Sequence, residues 1–217
     1  MNEVNVFLFD LDGTLTDPKV GITKSVQYAL RKFDIEVTDL DELECFIGPP
    51  LKQSFSEVYS LSSEQTEQAI GFYRERFIEK GLFENELYPG VMELLQTLKE
   101  RNYQVVLATS KPTVFAEKVL IYFKLDRYFD LVVGSHLDGG RSAKAEIIDF
   151  ILQKYPMKKK SEFVMVGDRK HDLIGANEVG IQSIAVLYGY GSYQELQEQN
   201  PVAICESVEQ LRNRLIK

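Results

Sequence analysis

The sequence predicts an α/β protein with a doubly wound, parallel-sheet core and an inserted α-helical domain. Three observations lead to this fold class. Short, nearly continuous apolar runs recur along the chain, which is typical of strands covered on both faces of a parallel sheet. Amphipathic helical patterns lie between these runs. One early interval, from Asp17 to Leu87, carries several helical patterns and no convincing strand.

Composition bounds the size of the core and the class of partner. The chain has 217 residues, of which 44% are hydrophobic, enough for one sizeable core and a small second unit. Its net charge of -8 argues against an electrostatic nucleic-acid binder. No apolar run approaches the ~20 residues of a membrane span, and Met1-Asn2-Glu3 is not a basic signal region. Cys45 and Cys205 lack metal-type spacing, so we expect reduced thiols in a cytoplasmic protein.

The predicted core alternates strands with helices. Four apolar runs and a weaker fifth predict the strands, at Val4–Phe9, Gln104–Ala108, Phe163–Val166, Ser183–Leu187 and, more weakly, Leu131–Val133. Helical patterns are predicted at Val91–Arg101, Thr113–Phe123, Ala145–Leu152 and Leu173–Val179. Because consecutive parallel strands need right-handed crossovers, this alternation predicts a doubly wound sheet.

The early interval is predicted to be a helical cap domain. Its helices are expected at Val20–Phe33, Leu40–Phe46, Leu51–Tyr59 and Ser63–Lys80. Asp17 is a plausible N-cap, with Pro18 at the first helical position. The turn sequence Tyr88-Pro89-Gly90 marks the return to the core. We therefore expect residues 17–83 to form the cap, and residues 1–16 with 84–217 to form the core.

Two carboxylates follow the first predicted strand. Asp10 and Asp12 are two positions apart, so on an extended chain their side chains point the same way. Two acids on one side repel each other, which calls for a cation or a chemical use. A carboxylate can attack phosphorus, and the second one can protonate the leaving oxygen and later deprotonate water. Gly13 permits close backbone approach, and Thr14 can add a hydroxyl.

Further candidates follow two other predicted strands. Thr109, with Ser110 as its adjacent rival, offers a hydroxyl and backbone N–H groups for a phosphate oxygen. Asp168 follows the strand at Phe163–Val166, and Asp172 lies four residues on, at the start of a helix. Hard oxygen ligands of this kind suit Mg²⁺, which keeps several waters and uses few carboxylates.

A lysine is needed as well, because four carboxylates and a phosphoryl group require more cationic charge than one Mg²⁺. Lys144 is the leading candidate. It falls near a helix start, where a cation opposes the helix dipole, and the cost in stability favours a functional role. Lys111 is the runner-up.

These segments resemble the motifs of the haloacid dehalogenase superfamily, in superfamily order. The sequence has Asp-x-Asp-Gly-Thr at residues 10–14 and Gly-Asp-x-x-x-Asp at residues 167–172. The strand-end Thr109 and Lys144 resemble the second and third motifs, although no proline follows the lysine as in the common pattern. Residues 48–52, Gly-Pro-Pro-Leu-Lys, are similar to a segment of the phosphoglycolate-phosphatase-like subgroup that faces the active site, which makes Pro50 and Lys52 candidate substrate contacts. A purely structural turn is the alternative for this segment.

The resemblance implies a Rossmann-like core and a role for each motif residue. Asp10 would be the nucleophile, Asp12 the acid and then the base, and Thr109 and Lys144 would hold phosphoryl oxygens. The Mg²⁺ ligands implied are the Asp10 carboxylate, the backbone carbonyl of Asp12 and Asp168, with Asp172 binding directly or through water.

The resulting hypothesis is a Mg²⁺-dependent phosphatase acting on a small phosphorylated metabolite, either phosphoglycolate-phosphatase-like or 5'-nucleotidase-like. A sugar phosphomutase of the β-phosphoglucomutase kind and a pyrophosphatase are alternatives. Asp12 argues against a dehalogenase or phosphonatase, and the complete set of acids argues against a non-catalytic module. We expect no nucleic acid and no membrane as partners. The chain is expected to be a monomer or a homodimer.

Overall fold

The computed structural model describes residues 4–216 of the chain. A six-stranded sheet and a two-stranded sheet contain all the strands of this described part. In chain order the strands are β1 (Val6–Phe9), β2 (Thr16–Asp17), β3 (Glu86–Leu87), β4 (Gln104–Pro112), β5 (Leu131–Ser135), β6 (Phe163–Gly167), β7 (Gln182–Val186) and β8 (Ala203–Cys205).

The helices alternate with these strands after residue 90. In chain order they are α1 (Lys19–Arg31), α2 (Leu51–Tyr59), α3 (Ser63–Arg76), α4 (Val91–Glu100), α5 (Thr113–Tyr122), α6 (Lys144–Lys154), α7 (Lys170–Val179), α8 (Tyr193–Gln197) and α9 (Val208–Leu215). Short 3₁₀ segments lie at Leu40–Phe46, Asp126–Tyr128 and Lys160–Glu162, and a π-helical turn lies at Phe77–Gly81. Between residues 4 and 216 no helix is both long and apolar enough to cross a membrane.

The large sheet confirms the predicted fold class. Its strand order is β5-β4-β1-β6-β7-β8, and every pair of neighbours is parallel. Along the chain, β4 and β5 are added to the sheet on one side of β1, and β6, β7 and β8 are then added on the other side. This reversal makes β1 the switch point of the sheet, and ligands of open α/β sheets bind outside the carboxyl ends of strands at such a point.

Burial explains why these runs form central strands. All four residues of β1 are at most 1% exposed, and β6 is buried along its whole length. In one core cluster, Leu8 and Met165 pack with Ile147, Ile148 and Ile151 of α6. Each such side chain contributes roughly 1.5–3 kcal/mol when it leaves water. Strands covered on both faces therefore hold the carboxyl ends of β1, β4 and β6 in fixed positions.

The chain divides into two compact units. One contains residues 4–17 and 87–216, and the other is Pro18–Glu86. The second unit holds α1, α2, α3 and the two irregular helical segments between residues 40 and 81. Inside it, Arg76 donates to Ser25 Oγ and to Glu84, at 3.2 and 3.0 Å. That the helical unit acts as a cap stays a prediction.

The structure corrects several predicted boundaries. β4 runs on to Pro112, so Thr109 lies inside the strand rather than after it. Helix α1 begins at Lys19 and Asp17 belongs to β2, which makes the predicted Asp17 N-cap wrong. Helix α3 is capped by Ser62, in a capping box with Gln65. That helix ends at Arg76, where the π-helical turn follows.

The packing of α1 leads to a prediction about two helical glycines of the same unit. A Cβ on Gly21 would lie 2.0 Å from the carbonyl oxygen of Gly81, whereas a Cβ on Gly71 would meet nothing within 4 Å. We expect Gly21→Ala to lower the free energy of unfolding by about 1–3 kcal/mol through overpacking. Gly71→Ala should raise it by up to about 1 kcal/mol, because alanine favours a helix. Urea unfolding measures both, and shifts in the same direction would contradict this packing.

Candidate active site

Four carboxylates meet at the carboxyl ends of β1 and β6. Asp10 and Asp12 follow β1 directly, and the Asp10 N–H donates to Val166 O of β6 at 2.9 Å, continuing the parallel ladder. Asp168 follows β6, and Asp172 lies in the first turn of α7. As whole residues, all four are at most 7% exposed. The fold thus gathers the predicted acids at the switch point of the sheet.

Lys144, the first residue of α6, lies between two of these acids. Its ammonium donates to Asp10 Oδ1 at 2.9 Å and to Ala108 O at 2.8 Å, and it pairs with Asp172 Oδ1 at 2.7 Å. Burial opposes the charged ammonium, but the Asp10 and Asp172 carboxylates outweigh it and hold the pKa of Lys144 above its usual value. Three acceptors therefore fix a charged lysine beside the proposed nucleophile.

Lys111, the second candidate for the lysine of the site, forms an ion pair with a different carboxylate. Its ammonium pairs with Asp12 Oδ2 at 2.6 Å, and the two side chains are only 6% and 10% exposed. Burial raises the pKa of the Asp12 carboxyl, and Lys111 opposes that rise. The site consequently contains both candidate lysines, one on each acid of the first motif.

Asp168 is held by a side-chain hydroxyl from one loop and a backbone N–H from another. Thr14 Oγ1 donates to its Oδ1 at 3.1 Å, and the Tyr190 N–H donates to its Oδ2 at 2.9 Å. Gly13 has a φ of 85°, and a Cβ there would lie 2.2 Å from Asp168 Oδ2, so glycine is required. Burial, followed by the Asp172 and Asp10 charges, raises the pKa of Asp168 well above its usual value.

The acids fit a divalent cation. Asp10, Asp168 and Asp172 are buried and offer carboxylate oxygens that all lie within 4.8 Å of one another. Burial, again with Asp10 nearby, raises the pKa of Asp172 to about 6. Hard oxygen donors with excess negative charge are the chemistry that Mg²⁺ prefers, and the cluster holds more acids than lysines. These residues could therefore hold a magnesium ion.

The hydroxyl candidates have different surroundings. Thr109 is 2% exposed, and its Oγ1 accepts from the Lys111 N–H at 3.3 Å. The Ser110 hydroxyl donates to Ser142 O at 3.1 Å, in the loop before α6. Ser110 thus braces the segment that carries Lys144, and contact of Thr109 with a phosphate oxygen stays a prediction.

The other predicted substrate contacts belong to the helical unit. Pro50 and Lys52 lie in the helical unit, where Lys52 pairs with Glu67 at 2.9 Å and both side chains are exposed. The loop after β7 braces the acids of the core: the Tyr188 hydroxyl donates to Thr14 O at 3.0 Å. Substrate contact by Pro50 and Lys52 stays a prediction.

Sequence reasoning missed one supporting residue. Glu195 Oε1 accepts from the Lys170 N–H at 2.8 Å and from Arg169 Nε at 3.0 Å, so it fixes the segment between Asp168 and Asp172. Glu195 lies on α8, a five-residue helix that is too short to give a periodic signal.

Two buried threonines provide a test of the Asp168 contacts. Thr14 and Thr16 are both 0% exposed, but within residues 4–216 the Thr16 hydroxyl has no hydrogen-bond partner. We expect Thr14→Val to lower the free energy of unfolding by about 1–3 kcal/mol, because Asp168 loses a buried donor. Thr16→Val should leave it unchanged or raise it. Urea unfolding of both variants is the measurement, and equal losses would rule out the specific role of Thr14.

Comparison with known proteins identifies relatives that are similar to this chain over most of its length. A protein of Pseudomonas aeruginosa named 5'-nucleotidase is 45% identical over 208 residues, covering 96% of this chain and 94% of its own length. A protein of Mycobacterium tuberculosis named tyrosine-protein kinase PtkA is 32% identical over 211 residues, covering 96% and 71%. A phosphoglycolate phosphatase of Vibrio parahaemolyticus is 25% identical over 217 residues, covering 96% and 95%.

A solved structure and a family model agree with this relationship. The crystal structure of a predicted phosphatase from Clostridium acetobutylicum matches with a TM-score of 0.95 at 48% identity, covering 98% of both chains. The model of the haloacid dehalogenase-like hydrolases matches residues 7–186, a span that includes all four carboxylates and both lysines of the site. The resemblance seen in the sequence is confirmed: the chain belongs to the haloacid dehalogenase-like hydrolases and is a phosphatase of that family.

Proposed function

We propose that this phosphatase hydrolyses a small phosphomonoester through an aspartyl phosphate on Asp10, with Mg²⁺ as cofactor. The observation that carries the proposal is the position of Asp10. Its carboxylate lies at the end of a buried central strand, with Oδ1 fixed 2.9 Å from Lys144 Nζ and a second acid two residues on. A fixed carboxylate beside a charged lysine suits attack on an anionic phosphoryl group.

In the first step an Asp10 carboxylate oxygen bonds to phosphorus and the ester P–O bond breaks. The bonding pair leaves with the substrate oxygen, which takes the proton of the Asp12 carboxyl and departs as an alcohol. Burial, which raises the pKa of Asp12, favours the protonated form that this step needs. Lys144 offsets the charge of the phosphoryl oxygens, and the hydroxyl of Thr109 contacts one of them in this proposal.

In the second step water bonds to the same phosphorus and gives its proton to the Asp12 carboxylate. The bond between Asp10 and phosphorus breaks, and inorganic phosphate leaves. The Asp10 carboxylate and the protonated Asp12 are restored, so the balance is ester plus water giving alcohol plus phosphate.

Asp10, Asp168, Asp172 and the backbone carbonyl of Asp12 are the residues that would hold Mg²⁺. When bound, the ion supplies positive charge that offsets the phosphoryl oxygens and the buried carboxylates. The fit rests on the three carboxylate groups, whose oxygens lie within 4.8 Å of one another.

A nucleoside monophosphate is the first substrate to test, because the relative named 5'-nucleotidase is 45% identical over nearly the whole chain. Phosphoglycolate is the second, from the relative of that name at 25% identity. A sugar phosphate and pyrophosphate complete the set, and product analysis distinguishes free phosphate from an isomerised sugar phosphate. Pro50 and Lys52 stay candidates for contact with the leaving group.

The substitution Asp10→Asn tests the nucleophile. We expect release of inorganic phosphate to fall by at least about a thousandfold, because an amide cannot form the acyl phosphate, while the fold persists. Phosphate release across the four substrate classes is the measurement. With the wild-type protein, excess chelator should stop phosphate release until Mg²⁺ is restored. Asp149→Asn is the control. This carboxylate of α6 is exposed and accepts a hydrogen bond from Gln153 Nε2 at 2.7 Å. Wild-type turnover by Asp10→Asn would contradict the proposal.

A further inference from the structure

We propose that Lys111 is a positioning residue that fixes Asp12 through Oδ2 and leaves Oδ1 as the oxygen that carries protons in both steps. This inference deepens the proposed function and rests on it. It assigns separate tasks to the two oxygens of one carboxyl group and to the two lysines of the site.

The first observation is the ion pair. Lys111 Nζ lies 2.6 Å from Asp12 Oδ2, and the pair is almost completely buried. A charge-assisted hydrogen bond in a dry site is strong and directional, so it fixes the rotation of the carboxyl group. Lys144 contacts Asp10 and Asp172 instead, which leaves the positioning of Asp12 to the other lysine.

The second observation is the other oxygen of the same group. Asp12 Oδ1 is buried and has no hydrogen-bond partner within the described residues 4–216. Buried polar atoms in folded proteins almost always have a partner, and an orphaned carboxylate oxygen is costly. Its retention beside a satisfied Oδ2 indicates an atom kept free for a reacting group.

The third observation explains how Lys111 reaches Asp12. The register between β4 and β5 shifts between Ala108 and Pro112, and such irregularities re-aim side chains next to active sites. The Ser135 hydroxyl donates to Ser110 O at 2.8 Å, and the Lys111 N–H donates to Thr109 Oγ1 at 3.3 Å. These bonds fix the peptide unit between Ser110 and Lys111, so the backbone that presents the lysine is held in place.

A single free oxygen meets the needs of both chemical steps. The leaving oxygen departs from the position opposite Asp10, and the attacking water approaches the phosphorus at that same position. Asp12 Oδ1 gives its proton there in the first step and takes one back there in the second. A carboxyl group that rotated freely would lose this alignment, so fixing Oδ2 serves turnover rather than substrate binding.

The test compares Lys111→Met with Lys118→Met, a control on the exposed side of α5. With an alkyl phosphate as substrate we expect Lys111→Met to lower kcat by about 10- to 100-fold and to change KM less than about threefold. Lys118→Met should leave both constants unchanged. Lys111→Arg, which keeps the charge, should recover part of kcat and guards against a Met variant that fails to fold.

Two further measurements separate positioning from a structural role. An aryl phosphate with an acidic leaving group needs no proton in the first step. When the first step limits turnover, Lys111→Met should therefore lower kcat much less with the aryl phosphate than with the alkyl phosphate. In an Asp12→Asn background, Lys111→Met should cost nothing more, because the lysine acts through that carboxyl group.

The possible failures are distinguishable. If the wild-type protein releases no phosphate from any substrate class, the proposed function fails. If it does release phosphate, three results overturn the role of Lys111: constants equal to those of Lys118→Met, a rise in KM alone, or equal losses for alkyl and aryl phosphates under conditions in which the first step limits turnover.

Discussion

Buried negative charge is the constraint on which the rest of this structure depends. Four aspartates lie at the end of a parallel sheet, each at most 7% exposed as a whole residue, and like charges in such a place repel strongly. Lys144 offsets two of them and Lys111 a third, while the Tyr190 N–H and the Thr14 hydroxyl bind Asp168. The remaining excess of negative charge is the physical reason for proposing a divalent cation.

All of this chemistry belongs to one compact unit. The carboxylates and both lysines lie within residues 4–17 and 87–216, and none comes from Pro18–Glu86. The relatives carry different names, among them 5'-nucleotidase and phosphoglycolate phosphatase, and the family model spans both units. A shared site with varied substrates is expected when catalytic groups sit on a rigid scaffold and other segments select the leaving group.

The sequence predicted the core well where strands are continuously apolar and fully buried, as at β1 and β6. It missed β8, because three residues, two of them half-buried, give no periodic signal. Helix α9 was missed although Val208, Leu211 and Leu215 line its buried face, a spacing that could have been recognised. The pairing of Lys111 with Asp12 could not be predicted, since it depends on an irregularity in β4 and on a contact 99 positions apart.

The most direct test of the charge balance is equilibrium unfolding as a function of Mg²⁺ concentration. An ion that binds only the folded state should raise the free energy of unfolding by about 2.7 kcal/mol at a hundredfold excess over its Kd. We expect this rise for the wild-type protein beyond that in NaCl of equal ionic strength, and a much smaller one for Asp168→Asn. No rise for the wild type, or equal rises for both proteins, would contradict the account of the carboxylate cluster as a magnesium site.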